Sequence, residues 1–402
     1  MPIYVPEKIE YKPLPLALVL REMKTLSSLA LDLAYYSTIY ADLAIARLVL
    51  KLEHEVDARW ALAAMQASLS SRSPKNSERI VGLLKVINAL DAVSDAAGDL
   101  ASVVMLMPEK VGLKILLQVL SKSEERICRL KVNSLPKPSA RIVDITSFPR
   151  HSDVLIVERG ETMTIEPPPD FALEVGDVLL LRGTEEALKS VAELLGDYSG
   201  LEEARGLEVE EPLRELVRYV VDLKNTSEVA LDLAFYSVIS GDKALALEVV
   251  ELEEQTDSHY VGILKLLHSM SEKISAKERV LLTVLLSTLE RVADAAWNIA
   301  SVAASDYEVS EVLERAERES NEVVIRAIAR EEASGSTIGD ARLDDVGAHV
   351  LALKTRSGKW LPLPDETTRL EPGDELVLKL YSEKDPNLVE TLRVRGLELI
   401  HR

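Results

Sequence analysis

The nonapeptide "LALDLAYYS" at 29–37 recurs as "VALDLAFYS" at 229–237. Aligned without gaps, residues 24–60 and 224–260 agree at 17 of 37 positions, where unrelated segments would agree at roughly two or three. After one residue of slippage, "LDAVSDAAGDLASV" (90–103) matches "LERVADAAWNIASV" (289–302). A fainter match joins "DVLIVERGETMTIEPPPDFALEVGDVLLLRG" (153–183) to "HVLALKTRSGKWLPLPDETTRLEPGDELVLKL" (349–380). The segments therefore alternate as A-B-A′-B′, which reads as one two-part unit of about 200 residues written twice. Any fold proposed for this chain has to serve both copies.

The A segments carry helical periodicity. Apolar residues recur at three- and four-residue spacing through 16–38, 43–69 and 79–105, without interior proline. "SSRSPKNS" (70–77) reads as the turn between the second and third helices, and Asp42 as the N-cap of the second. A fourth, more charged helix is expected after each set, in "PEKVGLKILLQVLSKSEERI" and "VSEVLERAERESNE". Long antiparallel helices with short connections make a bundle. The B segments change period: "DVLIVERG" and "HVLALKTRSG" read as strands ending in turns, and "EVGDVLLLRG" and "EPGDELVLKL" place a Gly-Asp turn before another strand. A short helix such as "TEEALKSVAELLG" closes the unit. The expected architecture is mixed and multidomain. All-α antiparallel bundles at 1–125 and 201–315 alternate with small α+β domains at 126–200 and 316–402, and the halves are related by a pseudo-two-fold axis.

Composition narrows the function. With 67 acidic and 47 basic residues the net charge is −20, which argues against nucleic acid or an anionic lipid surface, since both bind through basic side chains. Aromatic residues are only 4%, so the core must be Leu, Val, Ile and Ala. Cys128 is the single cysteine, which excludes an intrachain disulfide and a thiolate cluster and leaves a small apolar filler. No run of about eighteen apolar residues reads as a membrane span. The opening residues lack the charged-then-apolar order of a signal peptide, so a cytoplasmic location is expected. The scarcity of Gln and Asn beside Glu, Lys and Arg hints at a thermophilic source.

Acids spaced four apart are the candidate site. Glu53 and Asp57 lie on the second helix, with Asp91, Asp95 and Asp99 on the third; the second copy offers Glu253 and Asp257, then Glu290, Asp294 and Asn298. A step of four drifts only about 40° around a helix, so each set stays on one stripe. Like charges at that spacing repel by a few tenths of a kcal/mol, so their presence at duplicated positions asks for a reason. One reason is a hard or borderline cation such as Mg²⁺, Mn²⁺, Fe or Ca²⁺, while zinc would want histidine or cysteine beside the oxygens. The other is an ordinary solvated face balanced by arginines such as Arg59 and Arg291. Asp32 and Asp232 differ because they sit inside the apolar nonapeptide; with Lys24 and Lys224 they read as a structural polar lock, within a helix or between helices. His54, His151, His259, His268, His349 and His401 share no spacing and read as surface or packing residues. No phosphate loop, nucleophile elbow or paired-histidine motif occurs, so no enzyme activity is expected.

The A segments resemble PhoU repeats, whose sign is two E/D-x-x-x-D motifs per repeat. Here these are Glu53/Asp57 with Asp91/Asp95, and Glu253/Asp257 with Glu290/Asp294. Asp99 departs from the asparagine that Asn298 keeps. The resemblance implies a divalent cation, Fe, Mn, Mg or Zn, on these motifs. The B segments, "VGAHVLALKTRSGKWLPLPDETTRLEPGDELVL" (346–378) and the weaker 153–181, resemble RCK C-terminal (TrkA-C) domains. The first lacks the Val-Gly-Ala approach of 346–348 and has "PRHSD" instead. A PhoU-like unit fused to a TrkA-C domain resembles archaeal proteins associated with potassium channels. The Rossmann half of a full RCK module is missing, so nucleotide binding through that half is not implied.

The resemblance thus implies a non-enzymatic cytosolic regulator of potassium or other cation transport. It would dock at the inner membrane face on a channel or transporter, and sense a small ligand of unknown identity through TrkA-C domains paired within one chain or in a homo-oligomer. The alternative is a PhoU-type, divalent-metal-binding regulator of phosphate uptake.

Overall fold

A computed structural model describes residues 8–71, 73–107, 114–148, 150–202, 211, 213–270, 272–317, 323–380 and 386–400. Three long helices open the chain: α1 (Leu16–Tyr40), α2 (Leu43–Leu69) and α3 (Pro74–Leu106). Each boundary has a local cause. α1 stops where Ala41 turns left-handed, at φ 48°. Asp42 then starts α2 by accepting the amides of Ala44 and Ile45 at 2.9 and 3.1 Å, which satisfies two of the orphan donors of the first turn. Ser73 caps α3, and Pro74 follows at its first position, where a missing N–H costs nothing.

A short α4 (Lys114–Lys122) leads into the first α+β lobe, made of β1 (Arg126–Lys131), α5 (Ile142–Thr146), β2 (Asp153–Arg159), β3 (Thr162–Ile165), β4 (Val178–Gly183), α6 (Glu185–Leu195) and α7 (Ser199–Glu202). The expected fourth helix thus stops at Lys122, and the last residues of "SEERI" enter β1. Helices return as α8 (Leu213–Ser240), α9 (Lys243–Ser269), α10 (Ala276–Ala304) and α11 (Ser310–Glu317). The chain closes with β5 (Val323–Ala329), α12 (Ile338–Ala341), β6 (His349–Lys354), β7 (Trp360–Pro362), β8 (Glu375–Leu380), α13 (Pro386–Val394) and β9 (Leu397–Ile400).

Helix predominates, with two small antiparallel sheets. The first runs β1-β4-β2-β3 and the second β7-β6-β8-β5-β9. Read from β5, the second repeats the order of the first and adds β9 at the β5 edge. Both have a register shift at the corresponding place, between Val154 and Ile156 and between Val350 and Ala352.

The chain divides into two compact units, each built from two stretches: residues 1–111 with 233–320, and 112–232 with 321–402. The division falls inside α8, between Asp232 and Leu233. In the helical unit α1, α2 and α3 pack on one another, α9 packs on α10, and α3 packs on α10. Both helices bury small residues, Ala96 and Ala97 on α3 and Ala295 and Ala296 on α10. Thr288 on α10 donates to the carbonyl of Ala96 on α3 at 3.2 Å, and Ser27 on α1 donates to that of Leu90 at 2.9 Å. These hydroxyls are satisfied on backbone oxygens, so burying them carries little penalty.

The second unit holds both lobes. Leu130, Ile145, Leu179, Leu181 and Leu188 centre the first core, with Cys128 among them; Leu353, Leu376, Leu378 and Leu388 centre the second. Phe148, from the first lobe, packs on the core of the second and lies edge-on to His151, ring centroids 5.8 Å apart. Gly347, at φ 64°, comes so close to His151 that a Cβ there would lie 2.6 Å from the histidine backbone oxygen. Only glycine fits that approach. Thr184 adds a hydrogen bond to the carbonyl of Asp344 at 3.0 Å.

Candidate functional site

α2 presents Glu53 and Asp57, and α3, packed beside it, presents Asp91, Asp95 and Asp99. Asp57, Asp91 and Asp95 bring carboxylate oxygens within 4.8 Å of one another, and Glu253, Asp257 and Asp294 do the same between α9 and α10. Glu53 completes the first cluster electrically. Burial, then the charges of Asp95 and Asp57, push its carboxyl up to about 7. Its carboxylate lies against Gly98, where a Cβ would be 2.4 Å from Oε2. Asp91 is pushed up to about 6 by burial and by Asp95 and Asp57, and Asp95 also rises, mainly through burial.

The second cluster repeats the pattern. Glu253 rises to about 7 through burial, then the charges of Asp257 and Asp294, with a hydrogen bond to Asp294 that keeps the proton on the glutamate. Burial, with Asp294 and Asp257, raises Glu290 as well, and burial with Asp257 raises Asp294. Acids that hold protons near neutrality because they are buried and crowd each other are those a cation would relieve. The donors are all oxygens, and no histidine joins either group among the described residues. That set fits a hard or borderline cation such as Mg²⁺, Mn²⁺ or ferrous iron better than zinc.

The remaining candidates lie apart from these carboxylates or modify them. Asn298 donates its amide to the carbonyl of Asp294 at 2.9 Å. Asp99 is held by Arg291 of α10 at 2.6 Å, and Arg291 also stands 3.7 Å from Asp95. This arginine thus reaches from the second bundle into the acids of the first, where the aligned residue of the first copy is Ala92. Arg59 instead pairs with Glu22 at 3.2 Å and Glu55 at 3.6 Å. Lys24 sets its ammonium over the Phe235 ring, 4.9 Å from the centroid, and Asp32 is buried in α1. Lys224 pairs with Glu228 at 2.6 Å, while Asp232 lies 3.1 Å from Lys379, which Glu125 also meets at 3.1 Å. The two carboxylates thus answer Lys379, a buried lysine that is not among the expected Lys24, Asp32, Lys224 and Asp232.

A further site in the lobe unit was not legible from motifs. A cavity of about 560 Å³ opens between the two lobes, lined by Lys122, Glu124 and Arg126, by the start of α6 and by the stretches around Asp344, His349 and Glu366. His349 was expected as a packing or surface residue, yet its Nε2 meets Glu124 at 2.6 Å. Burial works against its charge, but the hydrogen bond and charge of Glu124 outweigh this and raise its pKa. Glu124 falls in turn, burial being outweighed by His349. The other histidines match their plain reading more closely: His151 is packed against Gly347, His259 and His268 are exposed on α9, and His54 is half-buried on α2. His401 lies outside the described residues.

Residues 20–104 and 220–303 each match the PhoU domain family. No curated protein matches the chain. Among solved structures, PhoU from Pseudomonas aeruginosa is similar at 15% identity, over 72% of this chain and 93% of that one, with a TM-score of 0.40. The phosphate transport system regulatory protein PhoU from Streptococcus pneumoniae is similar at 12% identity, over 73% and 96%, with a TM-score of 0.37. The GsuK RCK domain is similar at 14% identity, over 80% and 84%, with a TM-score of 0.17. Overlays this loose carry no functional weight. No helix among the described residues is long and apolar enough to cross a membrane.

Proposed function

We propose that this chain is a non-enzymatic cytosolic regulator of potassium or other cation transport. It senses a small ligand through its two α+β lobes and passes the state of those lobes to a membrane channel or transporter through its PhoU domains. The observation that carries this reading is the gathering of both lobes, alike in strand order, into one unit around a cavity of about 560 Å³. Their sequences, at 153–181 and 346–378, are those that resemble TrkA-C domains, and the two halves are read as copies of one ancestral unit. A ligand that binds one lobe arrangement better than another shifts the population between them, and equal affinity shifts nothing.

The acidic clusters support a second reading, a PhoU-type regulator of phosphate uptake that binds divalent metal. In either case Glu53, Asp57, Asp91 and Asp95, and Glu253, Asp257, Glu290 and Asp294, are the residues that would hold the cation. Asp99 and Asn298 would belong to the same two sets, Asp99 sharing its charge with Arg291. The metal would supply charge neutralisation that ties α2 to α3 and α9 to α10.

Affinity capture of the tagged full chain from native membranes tests the choice. A co-purifying potassium channel or transporter is expected. A phosphate transporter in its place would transfer the chain to the second reading.

A further inference from the structure

We propose that the cavity between the two lobes takes a small organic polycation, a linear oligoamine by chemical class, and not an anionic nucleotide. This rests on the regulatory reading above, which requires a small ligand but leaves its charge open. A volume of about 560 Å³ lies within the range of roughly 300–1,000 Å³ typical of small-molecule sites, and is generous for one coordinated ion. Its lining is acidic. Seven carboxylates face two arginines, one lysine and one histidine.

Most of those cations are already taken. Arg126 is held by Glu185 at 2.7 Å, Arg342 by Asp345 at 2.7 Å, and His349 by Glu124 at 2.6 Å. The N-terminus of α6 would ordinarily attract an anion, but Glu185 and Glu186 occupy its first turn. Asp344 and Glu366 form no ion pair among the described residues, and Glu186 has only Lys189, at 3.7 Å. Burial raises the carboxyl of Asp344; the charge of His349 opposes this, and the charges of Glu186, Glu124 and Glu366 add to the rise. A phosphate group brought here would meet an excess of negative charge, seven carboxylates against four basic side chains, in a partly dry site where repulsion is stronger than in water. An oligoamine answers each acid with an ammonium and fills the length between them with methylenes. Glu186 belongs to the first lobe and Asp344 and Glu366 to the second, so such a ligand would bridge the lobes and favour their association.

The test is isothermal titration of the full chain at about 0.15 M salt, with spermidine as the cationic probe and ATP and NAD as anionic ones. Saturable binding of one spermidine is expected. Asp344→Asn and Glu366→Gln should each weaken it by roughly tenfold, the scale of one charge-assisted hydrogen bond, and Glu161→Gln, on the exposed β2–β3 turn, should not change it. Circular dichroism of each variant establishes that it is folded, and Glu366, in a loop, provides a second variant if Asp344→Asn is not. Weak multi-site binding that is identical in all variants would reduce the effect to counterions gathering on a chain of net charge −20 and overturn the proposal. Saturable binding of ATP or NAD without spermidine would also overturn it, yet leave the regulatory reading standing, because that reading falls on transport measurements.

Discussion

At the scale of single residues, the crowded carboxylates make a prediction with a definite sign. Glu53 and Glu253 rise to about 7 in the folded protein, above the usual glutamate value near 4.3. A carboxyl whose folded pKa is raised binds more protons folded than unfolded, so stability falls as pH climbs from the unfolded value through the folded one. Metal-free protein should therefore lose melting temperature between about pH 4.5 and pH 7, and Mn²⁺ should restore more of it at pH 8 than at pH 5.5. In the double variant Glu53→Gln/Glu253→Gln, both the slope and the Mn²⁺ effect should shrink. A pH profile that the double variant leaves unchanged would place the charge strain elsewhere. The acids themselves were legible in the sequence, because helical spacing and duplication marked the same positions twice. Arg291 was legible as a balancing charge, but its reach into the first set was not, because it follows Asp99 by 192 residues and acts through the packing of α3 on α10. His349 was equally silent, since its partner Glu124 carries no motif.

At the scale of elements, the lobe contact rests on a small feature with a measurable consequence. Gly347 needs both its left-handed backbone and the absence of a side chain, because a Cβ would meet His151 at 2.6 Å. Gly358 has a similar backbone, at φ 88°, but open space around it. Gly347→Ala should therefore cost about 2–5 kcal/mol in denaturant unfolding, the sum of backbone strain and overpacking, against about 1–2 kcal/mol for Gly358→Ala. Equal costs would mean that the lobes do not meet there. The long helices were readable from their three- and four-residue periodicity, and Asp42 from its place before an apolar run. Shorter pieces were not. β9 is four residues long, too short for alternation to register; α5 starts where Asp144 accepts the amide of Arg141, and α12 where Thr337 and Asp340 cap each other. The end of α4 was misread because its charged residues suit a helix, while β1 is fixed by pairing with β4, about fifty residues on.

At the scale of the whole molecule, the repeat was the most legible feature, since duplication leaves a mark that needs no structure. What it could not show is which copies assemble. Helical stretches from both halves form one unit and α+β stretches from both halves form the other, a pairing set by packing between segments more than a hundred residues apart. On the proposed reading, ligand binding in the lobe unit is passed on through the stretches that match the PhoU domain, and the account stands on that coupling serving cation movement. The most direct measurement is ion uptake in source cells with and without the gene, following rubidium as a potassium tracer and phosphate in parallel. The account predicts that loss of the chain changes rubidium flux and leaves phosphate uptake as it was; altered phosphate uptake with unchanged rubidium flux would contradict it.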